Sequence, residues 1–407
     1  MAEKNEEISE EEEAMPLPTQ ELPEVLVEDI FLRLPVKSLL RLRCVCKPWC
    51  ALITKPAFVK LHLNRSLEND TNRSLICRGS AFYSVDLDAC ELQAPVELEL
   101  PPLEPSKRSD YGIKIGGSCN GLLCIYNSMK DTFLWNPSTR RHRRLPSSPI
   151  NCPAERERCR SVNFGLGYEP TSKDYKVVRI AQFRSDVYRF YSRSEVKVYS
   201  LRSNSWRKIR YKTKGFLLSI DRSGVLSNSA LHWVAICQQP VIGSSFIVCI
   251  DLKDEKYREL PLPDSLDTRL VNVGVRGEQL CVLCHYAMDR VEVWVMKHYR
   301  KRDSWVKEFS IKESVIGSFN DITLECYSKN GEFILLIDFK ALVLYDPSGG
   351  SARSLRNHCA PNMIETKIYI RSLVPLDSKK KRKKRRRKSR KQRLMLDEQC
   401  SKMRKMN

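Results

Sequence analysis

Cys281, Cys284 and His285 stand at a spacing that could begin a metal site, and Gly165 and Gly167 at one that could cradle a phosphate. Neither motif is complete. The two cysteines lie in an alternating apolar run, where residues three apart point to opposite faces of a strand. No second pair supplies the other ligands of a tetrahedral zinc, so buried structural thiols are expected there. The same expectation covers Cys44, Cys46 and Cys50. Gly165-x-Gly167 lacks a third glycine, and no nucleotide-binding helix pattern comes after it, so a tight turn is expected. The histidines at 62, 142, 232, 285, 298 and 358 are scattered. Within Leu231-His232-Trp233, His232 should be an internal strand residue bonded to backbone. Nothing signals a carboxylate pair, a triad or a metal set. The expectation is a protein without catalytic residues, metal or cofactor.

The elements that must position other chemistry are clearer. Leu26, Ile30 and Leu34 recur every four residues and line one face of a first helix. Pro23 and Glu24 suit its first turn. Leu34-Pro35 ends it and Pro35 opens the next. Leu39, Leu42, Cys46 and Trp49 form a second stripe, with Lys37, Arg41, Arg43 and Lys47 on the wet side. Pro48 and Pro56 cut the next stretch of chain into short pieces. A helical unit this small has little core of its own and gains by packing on something else.

Leu22-Pro23, Ile30-x3-Leu34-Pro35-Val36-x2-Leu39 and Arg43-x-Val45-Cys46-Lys47-x-Trp49 resemble an F-box over about 40 residues, with both proline-marked starts and the terminal tryptophan. The resemblance implies a three-helix module spanning 21–63. It also implies docking on the Skp-type linker of a cullin ubiquitin ligase through Leu22, Pro23, Ile30, Leu34, Pro35, Val36, Leu39, Val45 and Trp49. Some of these residues must hold the module together instead.

From about Leu75 to Leu376 the texture changes to short alternating runs broken by Gly, Pro, Asn, Asp and Ser, which read as strands and turns. Examples are Gly121 to Tyr126, Tyr175 to Ile180, Ser245 to Ile250 and Glu332 to Ile337. A loose repeat joins a strand, a polar turn and an apolar closer: Phe133 to Thr139 with Arg144 to Pro146, Val198 to Asn204 with Trp206 to Ile209, Val248 to Leu252 with Tyr257 to Pro261, Val293 to Met296 with Trp305 to Val306, Leu342 to Pro347 with Ala352 to Leu355. The anchors lie roughly 45–65 residues apart, the length of one four-stranded propeller blade. An irregular β-sandwich is the other architecture that fits. In a propeller, Thr366 to Ile370 would pair with an early strand and close the ring. The fold class expected is therefore α+β multidomain: a small N-terminal helical F-box, then a large all-β domain, propeller-like.

Gly117-Ser-Cys-Asn-Gly-Leu-Leu123, Leu134-Trp-Asn-Pro-Ser-Thr-Arg140, Phe164-Gly-Leu-Gly-Tyr168, Val198-Tyr-Ser-Leu201 and Leu231-His-Trp233 resemble, in order, the plant F-box-associated interaction domain, often described with kelch-like repeats. The paired glycines of a regular kelch repeat are missing. The resemblance implies recruitment of a protein substrate for ubiquitination by an SCF-type (Skp–cullin–F-box) ligase, with the substrate unnamed. The divisions expected are an acidic, disordered 1–20, a connecting segment with early strands over 64–99, the β domain over 100–376 and a basic, disordered tail over 377–407.

The formal net charge of +21 is uneven. Residues 1–20 are about −6, residues 379–407 about +14, and the 358 between them about +13. The acidic start has no apolar core, so it reads as neither signal nor transit peptide. No stretch suits a transmembrane helix. Sixteen cysteines are expected reduced, and the sequons at Asn64, Asn69 and Asn72 are expected to be chance. In the tail, Lys379, Lys380, Lys381, Arg382, Lys383, Lys384, Arg385, Arg386, Arg387 and Lys388 suggest nuclear import through an importin, with the protein in nucleus and cytoplasm. The alternative is a basic nucleic-acid-binding protein that uses this tail. The tail has no interleaved aromatics for base stacking.

Overall fold

Four prolines mark the starts of four helices. Pro23 and Pro35 precede α1 (Glu24–Arg33) and α2 (Val36–Leu42), and Pro48 and Pro56 lie in the first turns of α3 (Lys47–Thr54) and α4 (Pro56–Glu68). A missing N–H costs nothing there. The computed structural model describes residues 22–88, 94–102, 112–127, 131–150, 157–185, 191–210, 216–218, 222–237, 245–263, 270–286, 289–327, 331–355 and 365–376. The module has four helices rather than three. Lys55, held extended at φ −64° and ψ 129° by the proline after it, splits α3 from α4. The expected second stripe does not ride one helix either, because α2 stops at Leu42 and Cys46 is extended at φ −148°.

The body is a ring of six antiparallel sheets. The first holds β1 (Arg73–Arg78), β2 (Phe82–Asp86) and β3 (Val96–Glu97). The second is β4 (Ile113–Cys119), β5 (Leu122–Asn127), β6 (Asp131–Asn136) and β7 (Arg141–Arg144). The third is β8 (Glu157–Glu169), β9 (Asp174–Ser185), β10 (Tyr191–Ser200) and β11 (Ser205–Lys208). The fourth is β12 (Phe216–Leu218) and β13 (Val225–Ser227), both on β14 (Ala230–Cys237), then β15 (Ser245–Asp251) and β16 (Tyr257–Leu260). The fifth is β17 (Leu270–Arg276), β18 (Gln279–Tyr286), β19 (Arg290–Met296) and β20 (Trp305–Lys312). A short α5 (Glu313–Ile316) leads to the sixth: β21 (Ile322–Tyr327), β22 (Phe333–Ile337), β23 (Ala341–Asp346) and β24 (Ser351–Ser354).

The last strand, β25 (Glu365–Ile370), returns to the first sheet and pairs antiparallel with β1, from Arg73 opposite Ile370 to Arg78 opposite Glu365. This is the closure expected of Thr366 to Ile370, and it makes a six-bladed propeller. Strands β25, β4, β8, β13, β17 and β21 succeed one another around the axis. Middle strands are buried on both faces, and alternate residues serve opposite neighbours. Leu231, Trp233 and Ala235 face blade 3 while Ala230 and Val234 face blade 5. The core is thus one apolar layer per pair of adjacent blades.

The layer between blades 2 and 3 extends into the helices. Phe31, Val36, Leu39, Ile53, Phe58 and Leu63 join Leu134, Leu145, Phe164 and Tyr199, with Leu373, Val374 and Leu376 beyond β25 completing the layer. The helical module is seated on the ring by a shared core.

Several sequence motifs find their reasons here. Asn120 and Gly121 have φ of 52° and 80°, a two-residue turn of the type Asn-Gly favours. A Cβ on Gly121 would meet Ser372 Oγ at 2.0 Å. Gly165 and Gly167 form no turn, contrary to expectation. They lie inside β8, where a Cβ would fall 2.9 Å from Leu231 and Trp233, and 2.5 Å from Leu252. Their chemistry is close packing of inner strands.

Candidate partner-binding surface

Helix α1 carries two apolar stripes. Val27 and Phe31, with Leu34 just past its end, turn inward onto the shared core, and the Phe31 ring meets Trp49 edge-on at 5.1 Å. Leu22, Val25, Leu26 and Ile30 turn outward. They are 61%, 78%, 51% and 46% exposed, and Val45 in the turn before α3 is 65% exposed. Five large apolar side chains within 24 residues of chain thus face away from the protein's own core. Exposed apolar side chains in such number mark a candidate interaction face.

This divides the nine residues expected at the contact. Leu22, Pro23, Ile30, Pro35 and Val45 are exposed, and Leu34 and Trp49 are half-buried. Val36 and Leu39 are 1% and 0% exposed. These two are corrected out of the contact set, since they fill the seam between module and propeller and have no surface to offer. Val25 and Leu26 join the exposed face, although the sequence motif did not single them out for contact. The i, i+4 spacing from Leu22 to Leu26 to Ile30 carried that signal.

The loop between α1 and α2 is held from below. His62 on α4, 2% exposed, donates from Nε2 to the Leu34 carbonyl at 2.9 Å. Ser66 Oγ donates to the His62 carbonyl at 3.0 Å, and Asn72 Nδ2 to Ser66 Oγ at 2.9 Å. Asn72 Oδ1 accepts from Val36 N, and its carbonyl accepts from Arg371 N at 2.7 Å. Burial pushes the His62 pKa below its usual value, the bond to Leu34 offsets this in part, and nearby Arg65 adds to the lowering. The dry site thus favours the neutral imidazole over the charged one.

Asn136 is the corresponding anchor on the propeller side. It is fully buried, donates to the Ser372 and Val374 carbonyls at 3.1 and 3.0 Å, and accepts from Tyr369 Oη at 2.9 Å. The Trp-Asn-Pro run thus ties blade 2 to the segment under the helices. Trp206 Nε1 donates to the Pro146 carbonyl at 2.9 Å, and Trp305 Nε1 to the Pro261 carbonyl at 3.2 Å. At these two junctions the repeat seen in the sequence latches the outer strand of one blade to the chain leaving the blade before it.

Residues that suggested chemistry are accounted for locally. Cys281 and Cys284 are fully buried on opposite faces of β18, and burial raises both thiols to about 12. Cys44 and Cys46 are exposed and Cys50 is half-buried, so the expectation of buried thiols fails for them. They sit around a turn too short to be covered. His232 meets the Val225 carbonyl at 3.2 Å and Tyr299 Oη at 2.8 Å, and burial lowers it to about 4. Inner strands of blades 4, 5, 6 and 1 line a cavity of about 60 Å³ among Arg222, Trp233, Asn272, Thr323 and Thr366. Among the described residues, no group of three or more His, Cys, Asp or Glu could hold a metal, and no helix is long and apolar enough to cross a membrane.

A closed propeller carrying a small helical module with an uncovered apolar face is a protein built for interaction. An F-box domain model matches residues 20–61, and an F-box associated beta propeller domain model matches residues 73–384. The chain belongs to the F-box protein family with an F-box-associated β-propeller. It is 36% identical over 372 residues to F-box protein CPR1 of Arabidopsis thaliana, covering 87% of this chain and 88% of the relative. F-box protein At4g22390 of the same plant is 33% identical over 78% and 80% of the two chains. An Arabidopsis F-box/kelch-repeat protein is 27% identical over 87% and 95%. F-box proteins as a class are substrate-recognition subunits of SCF ubiquitin ligases, non-catalytic and joined to a cullin through a Skp-type protein. The families matched lend no support to a nucleic-acid-binding role, and the tail that suggested it lies outside the described residues, as does the acidic start.

Proposed function

We propose that this chain is the substrate-recognition subunit of a cullin-based ubiquitin ligase, with Leu22, Val25, Leu26, Ile30, Pro35 and Val45 as the contact with the Skp-type linker. The observation that carries this reading is the outward stripe of α1, apolar and uncovered on a module whose other stripe is sealed. The propeller holds a target protein, and the ligase brings activated ubiquitin to it. The gain is proximity, because a rare encounter becomes nearly intramolecular. No group on this chain takes part in bond making.

Replacing Leu26 and Ile30 together by Glu should abolish co-purification with the linker and leave the propeller's melting unchanged. Undiminished recovery of the linker would sink the assignment. Residues 379–388 are assigned to nuclear import through an importin. Deleting them should move a fluorescent fusion from nucleus to cytoplasm, and an unaltered distribution would remove that role.

A further inference from the structure

The body's positive charge is concentrated on two neighbouring blades. Residues 131–210, which form β6 to β11, hold eighteen Lys and Arg against seven Asp and Glu, a net +11. All of residues 21–378 sum to +13. Blades 2 and 3 therefore carry most of the excess outside the tails. Among the described residues of this window, all eleven exposed Lys, Arg, Asp and Glu side chains are basic.

The carboxylates that could balance them are committed or recessed. Glu169 accepts from Thr171 N and Ser172 N at 2.8 and 2.6 Å, and Asp174 from Ser200 Oγ and Arg202 N. Asp131 pairs with Arg144, and Glu195 is shared among Arg179, Lys197 and Lys208. No described carboxylate pairs with Arg141, Arg160 or Arg210 within 4.0 Å. Arg207 and Arg193 do face carboxylates, Glu255 at 2.6 Å and Glu157 at 3.5 Å, as bases on other blades do. On blade 4, Arg258 faces Asp254 at 2.6 Å and Asp251 at 3.4 Å, and on blade 5 Lys307 faces Glu292 at 3.4 Å.

The two blades adjoin along their outer strands. The chain leaving β7 crosses onto blade 3, where its Pro146 and Pro149 carbonyls accept from Trp206 Nε1 and Lys197 Nζ. No Phe, Tyr or Trp described in this window is fully exposed, so the surface offers no platform for stacking bases. Its outer strands, β7 and β11, are open sheet edges, suited to an extended peptide.

We propose that the rims of blades 2 and 3 dock an Asp/Glu-rich segment of the target protein. This rests on the adaptor reading and supplies the chemistry of its substrate. Positive charge in such excess speeds encounter with acidic partners and rejects basic ones.

The test uses the full chain purified with its Skp-type linker, and a fluorescent Glu-Ser repeat peptide followed by anisotropy. Arg141→Glu, Arg160→Glu and Arg210→Glu combined should weaken binding at least ~10-fold, and the corresponding Gln variants should lose less. Lys253→Glu, Lys256→Glu and Lys312→Glu combined, on blades 4 and 5, should change it less than ~2-fold. A Gln-Ser peptide should not bind. Equal loss in both triple variants, or loss in neither, would overturn the proposal and leave the basic tail as the peptide's site. Tighter binding of a labelled RNA, lost in the first variant, would also overturn it. Failure of the unsubstituted chain to recover the linker would instead sink the adaptor reading, and shows in the same purification.

Discussion

His62 shows how one side chain supports a surface it never reaches. Its bond to the Leu34 carbonyl fixes the loop between α1 and α2, and with it the angle at which the apolar stripe is presented. The unfolded imidazole takes a proton near pH 6.5, whereas the folded one resists until lower pH because its site is dry. Its stabilising effect is therefore complete above pH 6.5 and is lost as pH falls below it. Thermal midpoints should drop as pH falls below about 6.5, and His62→Gln, whose amide can still donate, should flatten that drop; an unchanged slope in His62→Gln would refute it. The division of α1 into an inner and an outer stripe was only half legible in the sequence. Leu26, Ile30 and Leu34 could be read as a face, but Val27 and Phe31 offer a second face of equal hydrophobicity. Periodicity names faces and does not say which one a neighbour covers. Val36 and Leu39 entered the contact set through the F-box resemblance, whose motif does not separate residues that pack from residues that touch a partner.

At the scale of elements, ring closure rests on β25. Arg78 and Glu365, on β1 and β25, pair at 2.8 Å across 287 residues of chain, and Tyr369 on β25 bonds Asn136 of blade 2. Asn136→Leu should cost about 2–4 kcal/mol by urea melts, since it strands several buried groups at once; a loss below about 0.5 kcal/mol would show that the node is dispensable. The blades themselves were legible because each repeats a strand, a turn and an apolar closer at regular distance. Leu145, Ile209, Leu260 and Leu355 all prove buried at the end of a blade. Gly165 and Gly167 were misread as a turn because the reason for them lies in another blade. A close approach by Leu231, Trp233 and Leu252 leaves no mark near residue 165.

For the molecule as a whole, helices and propeller have one core between them. Residues of α1 to α4 share their layer with blades 2 and 3 and with Leu373, Val374 and Leu376. Calorimetry should record a single transition for both parts, and two separated peaks would refute the shared core. The same seam has a consequence during synthesis. The helices precede the propeller in the chain, yet part of the floor beneath them, Leu373, Val374 and Leu376, follows its last strand. A chain stopped before residue 365 lacks both the strand that closes the ring and the part of the helices' bed that residues 373–376 supply. The apolar face of α1 and the closure of the ring thus become complete together, so a fragment that exposes the helices without the finished propeller lacks part of its own support.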